Sequence, residues 1–137
     1  PIIRLEIFYS KGRNMNKILR QYRHMKVPLF ESGYIIYCGS WDDWRSLHEK
    51  LGIDGGDSFV NGASHTVTNT QCVLHIIGVF NGKLSTLAHE CAHIAFDICY
   101  RVGVSVETGA ANETFCHLIS RMVDFCVKPK KADVGRL

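Results

Sequence analysis

The sequence predicts a single α+β domain in which a small, mostly antiparallel sheet packs against helices. The 137 residues are 46% hydrophobic, which is enough for one sizeable core. Short stretches rich in β-branched and aromatic residues lie before Asn81, and segments with apolar residues at helical spacing separate them. After Asn81 the pattern is helical, with breaks around Gly103 and Gly109. We therefore expect one domain over residues 1–137 that ends in two consecutive helices.

The first half of the chain alternates between predicted strands and helices. β-formers with partial alternation predict a strand over Ile2–Tyr9, and apolar residues at helical spacing predict a helix over Asn14–Met25. Gly33–Gly39 is a short apolar stretch between glycines, which predicts a second strand. Ser40 is then expected to cap the start of a helix, because Asp43 stands three residues later in a variant of the capping box.

The longest irregular stretch is Gly52–Asn69, whose Gly, Asp and Asn residues mark turns. Loops of this length in small domains are often functional. The stretch leads into Gln71–Phe80, which is apolar at alternate and intervening positions and therefore predicts a strand covered on both faces. The basic tail of residues 128–137 contains a proline and is expected to be mobile.

The motif His89-Glu90-x-x-His93 lies in a segment that predicts a helix from Ser85 or Thr86 to Val102. A spacing of four puts both imidazoles on one helix face, one turn apart, where both can reach one metal ion. Zinc suits two imidazoles and a carboxylate and leaves one position open for water. Glu90 stands next to the first ligand, close enough to take a proton from a metal-bound water.

A chance match on a surface helix is the alternative interpretation of this motif. The flanking residues are apolar almost all round, which predicts that the helix is buried on most sides. Unpaired buried polar groups cost about 1–3 kcal/mol each, and a metal ion would satisfy two histidines and a glutamate at once. The flanks therefore favour the metal interpretation.

A third ligand is predicted on the following helix. Glu113 comes 20 residues after His93, which allows the first helix to end near Gly103 and a second helix to pack back. His117 lies four residues beyond Glu113, on the same face, where it could support the site or donate a proton. Alternatively, Glu113 is a solvated carboxylate favoured by the dipole of the helix N-terminus.

These residues resemble a known family. His89-Glu90-x-x-His93 followed by Asn112-Glu113 is similar to the gluzincin arrangement of thermolysin-like zinc peptidases. The run from Ser85 to Phe125 also resembles small HExxH metallopeptidases encoded by bacteriophages and prophages, which share a Val-Gly-Val turn. The resemblance covers about the last half of the chain. It implies a zincin-like fold with the metal site between the last two long helices.

The resemblance also implies the chemistry. His89, His93 and Glu113 would hold one Zn²⁺, and Glu90 would act as general base in the hydrolysis of a peptide bond. Zincins hold an extended substrate along an edge strand before the metal helix, and residues 63–68 are the expected rim of that cleft. His117 is the first candidate for stabilising the oxyanion, and His65 is the second.

Composition restricts the setting and the partners. The six cysteines lie in apolar contexts without a Cys-x-x-Cys pair, which predicts reduced core residues and a cytoplasmic protein, in the host cytoplasm if a phage encodes it. No signal peptide or stretch long enough to span a membrane is visible. We expect a protein or peptide substrate and no membrane partner.

Two other functions stay open at this stage. One is a catalytically inactive protein-binding module in which the metal is structural. The other is a nucleic-acid-associated protein, because the segment Lys11–Lys26 carries six Lys and Arg residues and no acidic residue. A solvated helix face is the simpler explanation of that segment, since no base-reading motif accompanies it. The net charge of +3 also argues against strong binding of polyanions by the whole molecule.

Overall fold

A computed structural model describes residues 3–6, 15–30, 33–57, 59–68, 72–108 and 112–128, and these residues form an α+β fold. Four helices and five strands lie in the described ranges. Their order is β1 (Ile3–Glu6), α1 (Met15–Gln21), β2 (Arg23–Lys26), β3 (Tyr34–Cys38), α2 (Trp41–Leu51), β4 (Gly62–Thr68), β5 (Val73–Val79), α3 (Leu84–Val102) and α4 (Glu113–Val127). No helix in these ranges has the length and apolar character needed to cross a bilayer.

The strands form one mixed sheet in the order β1-β4-β5-β3-β2. β1 runs parallel to β4 and β3 runs parallel to β5, whereas the β4–β5 and β2–β3 pairs are antiparallel. The prediction of a mostly antiparallel sheet was therefore wrong. The chain leaves β3 through α2 and returns through β4, so β5 is added beside β3 in the same direction. Sequence patterns identify strands, but they do not identify the neighbours of each strand.

The two faces of the sheet carry separate hydrophobic cores. One core joins α1 and α2 to the sheet, and Trp44 and Leu47 are buried at its centre. The other core joins α3 and α4 to the opposite face, with Ile94, Leu118 and Met122 buried there. The sheet is therefore covered by helices on both sides, which agrees with the largely apolar sequence of β5.

The helix ends predicted in the middle of the chain are confirmed at Ser40 and Gly103, whereas the predicted start of α3 is wrong. Ser40 caps α2 as predicted, because its Oγ accepts a hydrogen bond from the Asp43 amide at 3.1 Å. α3 begins at Leu84, before both candidate N-cap residues Ser85 and Thr86, and Lys83 occupies its N-cap without a side-chain hydrogen bond. The predicted caps Ser85 and Thr86 lie inside the helix. Gly103 ends α3 as predicted, in the left-handed conformation at φ 76°.

Two segments differ from the prediction. The predicted helix Asn14–Met25 ends at Gln21, and the next residues form the edge strand β2, which pairs with β3. Residues 63–68, expected as the rim of a cleft, lie in the inner strand β4 between β1 and β5. In both cases long-range strand pairing overrides the local pattern. Most of the predicted tail (129–137) and the ends of the first predicted strand lie outside the described residues.

The cysteines are free thiols. Cys38, Cys91, Cys99 and Cys126 are buried and Cys72 is half-buried, as expected for core residues, whereas Cys116 is exposed on α4. Burial raises the pKa of the Cys38 thiol to about 12, which keeps it protonated and unreactive.

Two buried histidines link α2 to β4. His48 Nδ1 donates to the Trp44 carbonyl at 2.7 Å, so His48 Nε2 accepts a hydrogen bond from His65 Nδ1 at 2.8 Å. Burial lowers the pKa of both imidazoles, and the pKa of His65 falls to about 4. Both rings are therefore neutral in the folded protein at neutral pH.

This pair predicts a loss of stability in mild acid. The pKa of histidine in an unfolded chain is about 6.5, so between pH 6.5 and 4 the unfolded state binds more protons than the folded state. The free energy of unfolding should therefore fall as pH decreases through this window, with a contribution from His65 on the order of 3 kcal/mol. Urea unfolding at a series of pH values measures this slope.

His65→Asn should flatten the pH dependence, because it removes the titrating group and keeps a hydrogen-bond donor. His24→Asn, at an exposed histidine, is the matched control and should leave the slope unchanged. An equal slope in wild type and His65→Asn would contradict the assignment.

Candidate functional site

α3 lies along β4, and a glycine sets their distance of approach. A Cβ atom added to Gly62 would lie 2.6 Å from Thr86 Cγ2 and 2.8 Å from the Gly78 carbonyl oxygen. Glu90 Cγ would be only 3.4 Å away. Any other residue at the start of β4 would push the first half of α3 away from the sheet. Gly62 therefore allows the helix segment with Glu90 to contact the backbone of β4.

The second half of α3 is fixed to the same strand by buried polar groups. Arg101 Nε donates to Asp97 Oδ2 at 2.8 Å across one turn of the helix. Thr66 Oγ1 lies 2.9 Å from His75 Nδ1 and also hydrogen-bonds Asp97, so the hydroxyl accepts from the imidazole and donates to the carboxylate. Asp97 and Thr66 are fully buried. This network joins α3 to both central strands, β4 and β5.

The charges in this network are set by burial and by Arg101. Burial alone would raise the pKa of Asp97, but the hydrogen bond and charge of Arg101 hold it below its ordinary value. Burial lowers the pKa of His75 to about 4, although the nearby Asp97 carboxylate opposes the shift. The network therefore contains an ion pair between a fully buried carboxylate and a partly exposed guanidinium, and a neutral imidazole at neutral pH.

Asp97→Asn should destabilise the protein by about 1–3 kcal/mol, because it removes the negative charge that pairs with Arg101 and weakens the hydrogen bonds of a fully buried side chain. Asp124→Asn is the matched control, since Asp124 forms the same i,i+4 pair with Lys128 on the surface of α4 at 3.3 Å. The control should change the free energy of unfolding by less than about 1 kcal/mol. Equal effects of the two substitutions, measured by urea unfolding, would contradict a structural role for Asp97.

His89 and His93 project from the outer side of α3 and converge. Their Nε2 atoms are 3.1 Å apart, and their ring centroids are 4.8 Å apart. Two imidazole nitrogens on one tetrahedral zinc, each about 2.0–2.1 Å from the ion, would be about 3.3 Å apart. His89 is exposed and His93 is half-buried, so the pair opens to solvent. The observed spacing fits two ligands of one zinc ion.

Glu90 lies on the inner side of the same turn. Glu90 is 7% exposed, and its Cγ lies on the side of α3 that approaches Gly62. The Glu90 carboxylate raises the pKa of His93, whereas partial burial lowers it, and the net shift is downward. A neutral imidazole is the form that binds a metal ion. The motif therefore combines a solvent-accessible pair of imidazoles with a largely buried glutamate.

Glu113 and His117 lie on the exposed side of α4, one turn apart as predicted. α3 and α4 run antiparallel, because Phe96 contacts Phe115 at 4.3 Å between ring centroids while Cys91 contacts Cys126. The start of α4 therefore lies level with the part of α3 that follows His93. Within residues 3–6, 15–30, 33–57, 59–68, 72–108 and 112–128, no three His, Cys, Asp or Glu side chains are grouped to hold a metal ion.

The structure thus brings two of the three predicted ligands together and does not group Glu113 with them. It also places His65 on the wrong face of the sheet for a role near Glu90. His65 packs 4.7 Å from the Trp44 ring in the α2 core, whereas Thr66 faces α3. The prediction of His65 as a stabiliser of the oxyanion is therefore not supported by its position.

Ser64 is a residue of this region that sequence reasoning missed. It lies between Gly62 and Thr66 on the face of β4 that meets α3, and it is 2% exposed. Its Oγ has no hydrogen-bond partner among the residues with described positions. The alternation Gly62, Ser64, Thr66 is a signal of a small and polar strand face, but it only becomes informative once β4 is known to be a strand.

No protein-family model, curated protein or solved structure matches this chain. The proposal that follows therefore depends on the geometry of the histidine pair and its surroundings.

Proposed function

We propose that the protein is a zinc-dependent metallopeptidase of the gluzincin type, with His89, His93 and Glu113 as ligands and Glu90 as general base. The observation that carries this proposal is the distance of 3.1 Å between the two Nε2 atoms, which fits a shared tetrahedral ion. A buried carboxylate one residue after the first imidazole adds the base that hydrolysis requires.

The third ligand requires a rearrangement of the start of α4. Asn112 makes no side-chain hydrogen bond to cap this helix, so its first turn is held by backbone hydrogen bonds worth about 1 kcal/mol each. Binding of zinc by a complete ligand set contributes on the order of 10 kcal/mol. Metal binding can therefore reposition Glu113 toward the imidazoles. His117, one turn farther along α4, would move with it toward the site.

Each residue has a defined task in this proposal. Zinc bound at the site would polarise the scissile carbonyl and lower the pKa of water. Glu90 takes a proton from the attacking water and passes it to the leaving amine. His117 donates a hydrogen bond to the developing oxyanion. Asp97 and Gly62 keep α3 close to β4 so that Glu90 stays beside the strand.

The first half of β4 offers a place for an extended peptide. β1 pairs with β4 only from His65 to Thr68, and no other described strand pairs with Gly62–Ser64 on that side. The backbone groups there lie beside Gly62, which contacts the segment of α3 with Glu90. A substrate strand added at this edge would pass next to the general base. This arrangement supports a peptide as the substrate class.

Glu90→Gln should abolish peptide hydrolysis and leave zinc binding intact. Glutamine keeps the size of the side chain but cannot accept the proton, so turnover should fall by about 10²–10⁴-fold. Zinc content is measured by elemental analysis, and cleavage is measured by mass spectrometry of a peptide library incubated with each variant.

Glu107→Gln, at an exposed carboxylate after α3, is the matched control and should keep full activity. His93→Ala should lose zinc. Equal cleavage by wild type and Glu90→Gln would refute the general-base role. Zinc binding without any cleavage by wild type would instead favour the inactive binding module.

A further inference from the structure

A basic groove lies on the other face of the sheet, at the edge formed by β2. Its volume is about 460 Å³, and Arg20 of α1, His24 and Lys26 of β2, and Tyr34 of β3 line it. α1 packs through Ile18 and Leu19 into the core that contains Trp44, whereas α3 packs into the opposite core. The groove is therefore separated from the histidine pair by the sheet, and it is independent of the proposed peptidase site.

The charges of the groove are not neutralised within the described part of the chain. Among the residues with described positions, no Asp or Glu lines the groove, and no carboxylate lies within 4.0 Å of the side-chain nitrogens of Arg20 or Lys26. Arg20 approaches from a helix, while Lys26 lies directly opposite Tyr34 in the β2–β3 pair. Protection of an edge strand against aggregation explains a lysine on β2, but it does not explain an arginine that reaches the same groove from α1. Two cations converging from different elements indicate an anionic ligand.

The aromatic side chains narrow the class of ligand. The rings of His24 and Tyr34 meet edge to face, with centroids 6.4 Å apart, so no ring of the described residues stacks in parallel on Tyr34. His24 Nδ1 donates to the Tyr22 carbonyl at 3.0 Å, and Nε2 has no hydrogen-bond partner among the described residues. Among the described residues, the cations of the groove have no carboxylate partner and Tyr34 has only an edge-to-face ring contact, and this combination is suited to a phosphate and a base together.

We propose that the basic groove binds nucleotides, with Arg20 and Lys26 at the phosphates and a base stacked on Tyr34. The volume of the groove lies within the range typical of small-ligand sites and accommodates a nucleotide. The ligand is either a free nucleotide or one unit of a single-stranded polynucleotide, since both present a phosphate and a base.

The test measures binding by fluorescence anisotropy to a labelled oligothymidylate of about 12 nucleotides, a length within the usual site size. Wild type is compared with Arg20→Gln/Lys26→Gln and with Tyr34→Leu. In the double variant, the slope of log K against log salt concentration should become shallower by about 1.4, because each lost phosphate contact contributes about 0.7 to the slope. Tyr34→Leu should weaken binding about fivefold or more and leave the salt slope unchanged.

Arg121→Gln/Lys128→Gln removes the same charge from exposed positions on α4 and is the matched control. It should retain wild-type affinity. Because all of these positions except Tyr34 are exposed, the charge variants should fold normally, and far-UV circular dichroism checks each variant.

Competition separates the two sources of the ligand. If a mononucleotide displaces the labelled oligonucleotide with a similar affinity per site, the ligand is a free nucleotide. If only unlabelled oligonucleotide displaces it, the ligand is a polynucleotide. The proposal is overturned if wild type binds neither. It is also overturned if the control loses as much affinity as the groove variant, or if Tyr34→Leu binds as tightly as wild type, since either result means non-specific attraction of a polyanion.

Discussion

The attachment of α3 to β4 is the constraint on which the rest of the candidate site depends. Asp97 is buried between Arg101 of its own helix and Thr66 of the strand, and Gly62 lets the other end of the helix approach the backbone. With both ends fixed, the rotation of α3 about its axis is fixed as well. That rotation directs Glu90 inward to the sheet and His89 outward to solvent.

The fixed rotation of α3 also explains how one face of this helix packs in the core while another face carries the candidate site. Residues at 87, 91, 94 and 98 are buried against α4 and the sheet, while His89 and His93 lie on the side that the core leaves open. An amphipathic helix would normally fill that side with inert polar residues. The facing Nε2 atoms of His89 and His93 can share one hydrogen bond between neutral rings, as the imidazoles of His48 and His65 do, and their spacing also fits a shared cation.

Local features could be predicted from the sequence, and features of tertiary pairing could not. The Ser40 cap and the Gly103 terminator depend on a few adjacent residues, and both were found. The approach of His89 to His93 follows from their spacing on a helix. β2, by contrast, consists of four residues whose conformation is set by pairing with β3, so the helical pattern before it was extended too far. The buried position of His65 was missed because the sequence around it resembles a loop.

The third ligand marks the limit of prediction from spacing. A gap of 20 residues allows a second helix to pack back on the first, but it does not determine where along α3 the new helix begins. That position depends on contacts such as Phe96 with Phe115, which only the packed structure supplies. The same holds for the basic groove, because Arg20 and Lys26 converge through the packing of α1 against β2.

X-ray absorption at the zinc edge tests the central claim most directly, with zinc-loaded wild type compared with Glu113→Gln. The account predicts two imidazole nitrogens at about 2.0–2.1 Å and one protein carboxylate, with a change in the oxygen ligands in the variant. Failure of the wild type to bind zinc would contradict the account. A spectrum that lacks the imidazole pair, or one that is identical in the two proteins, would contradict the assigned ligand set.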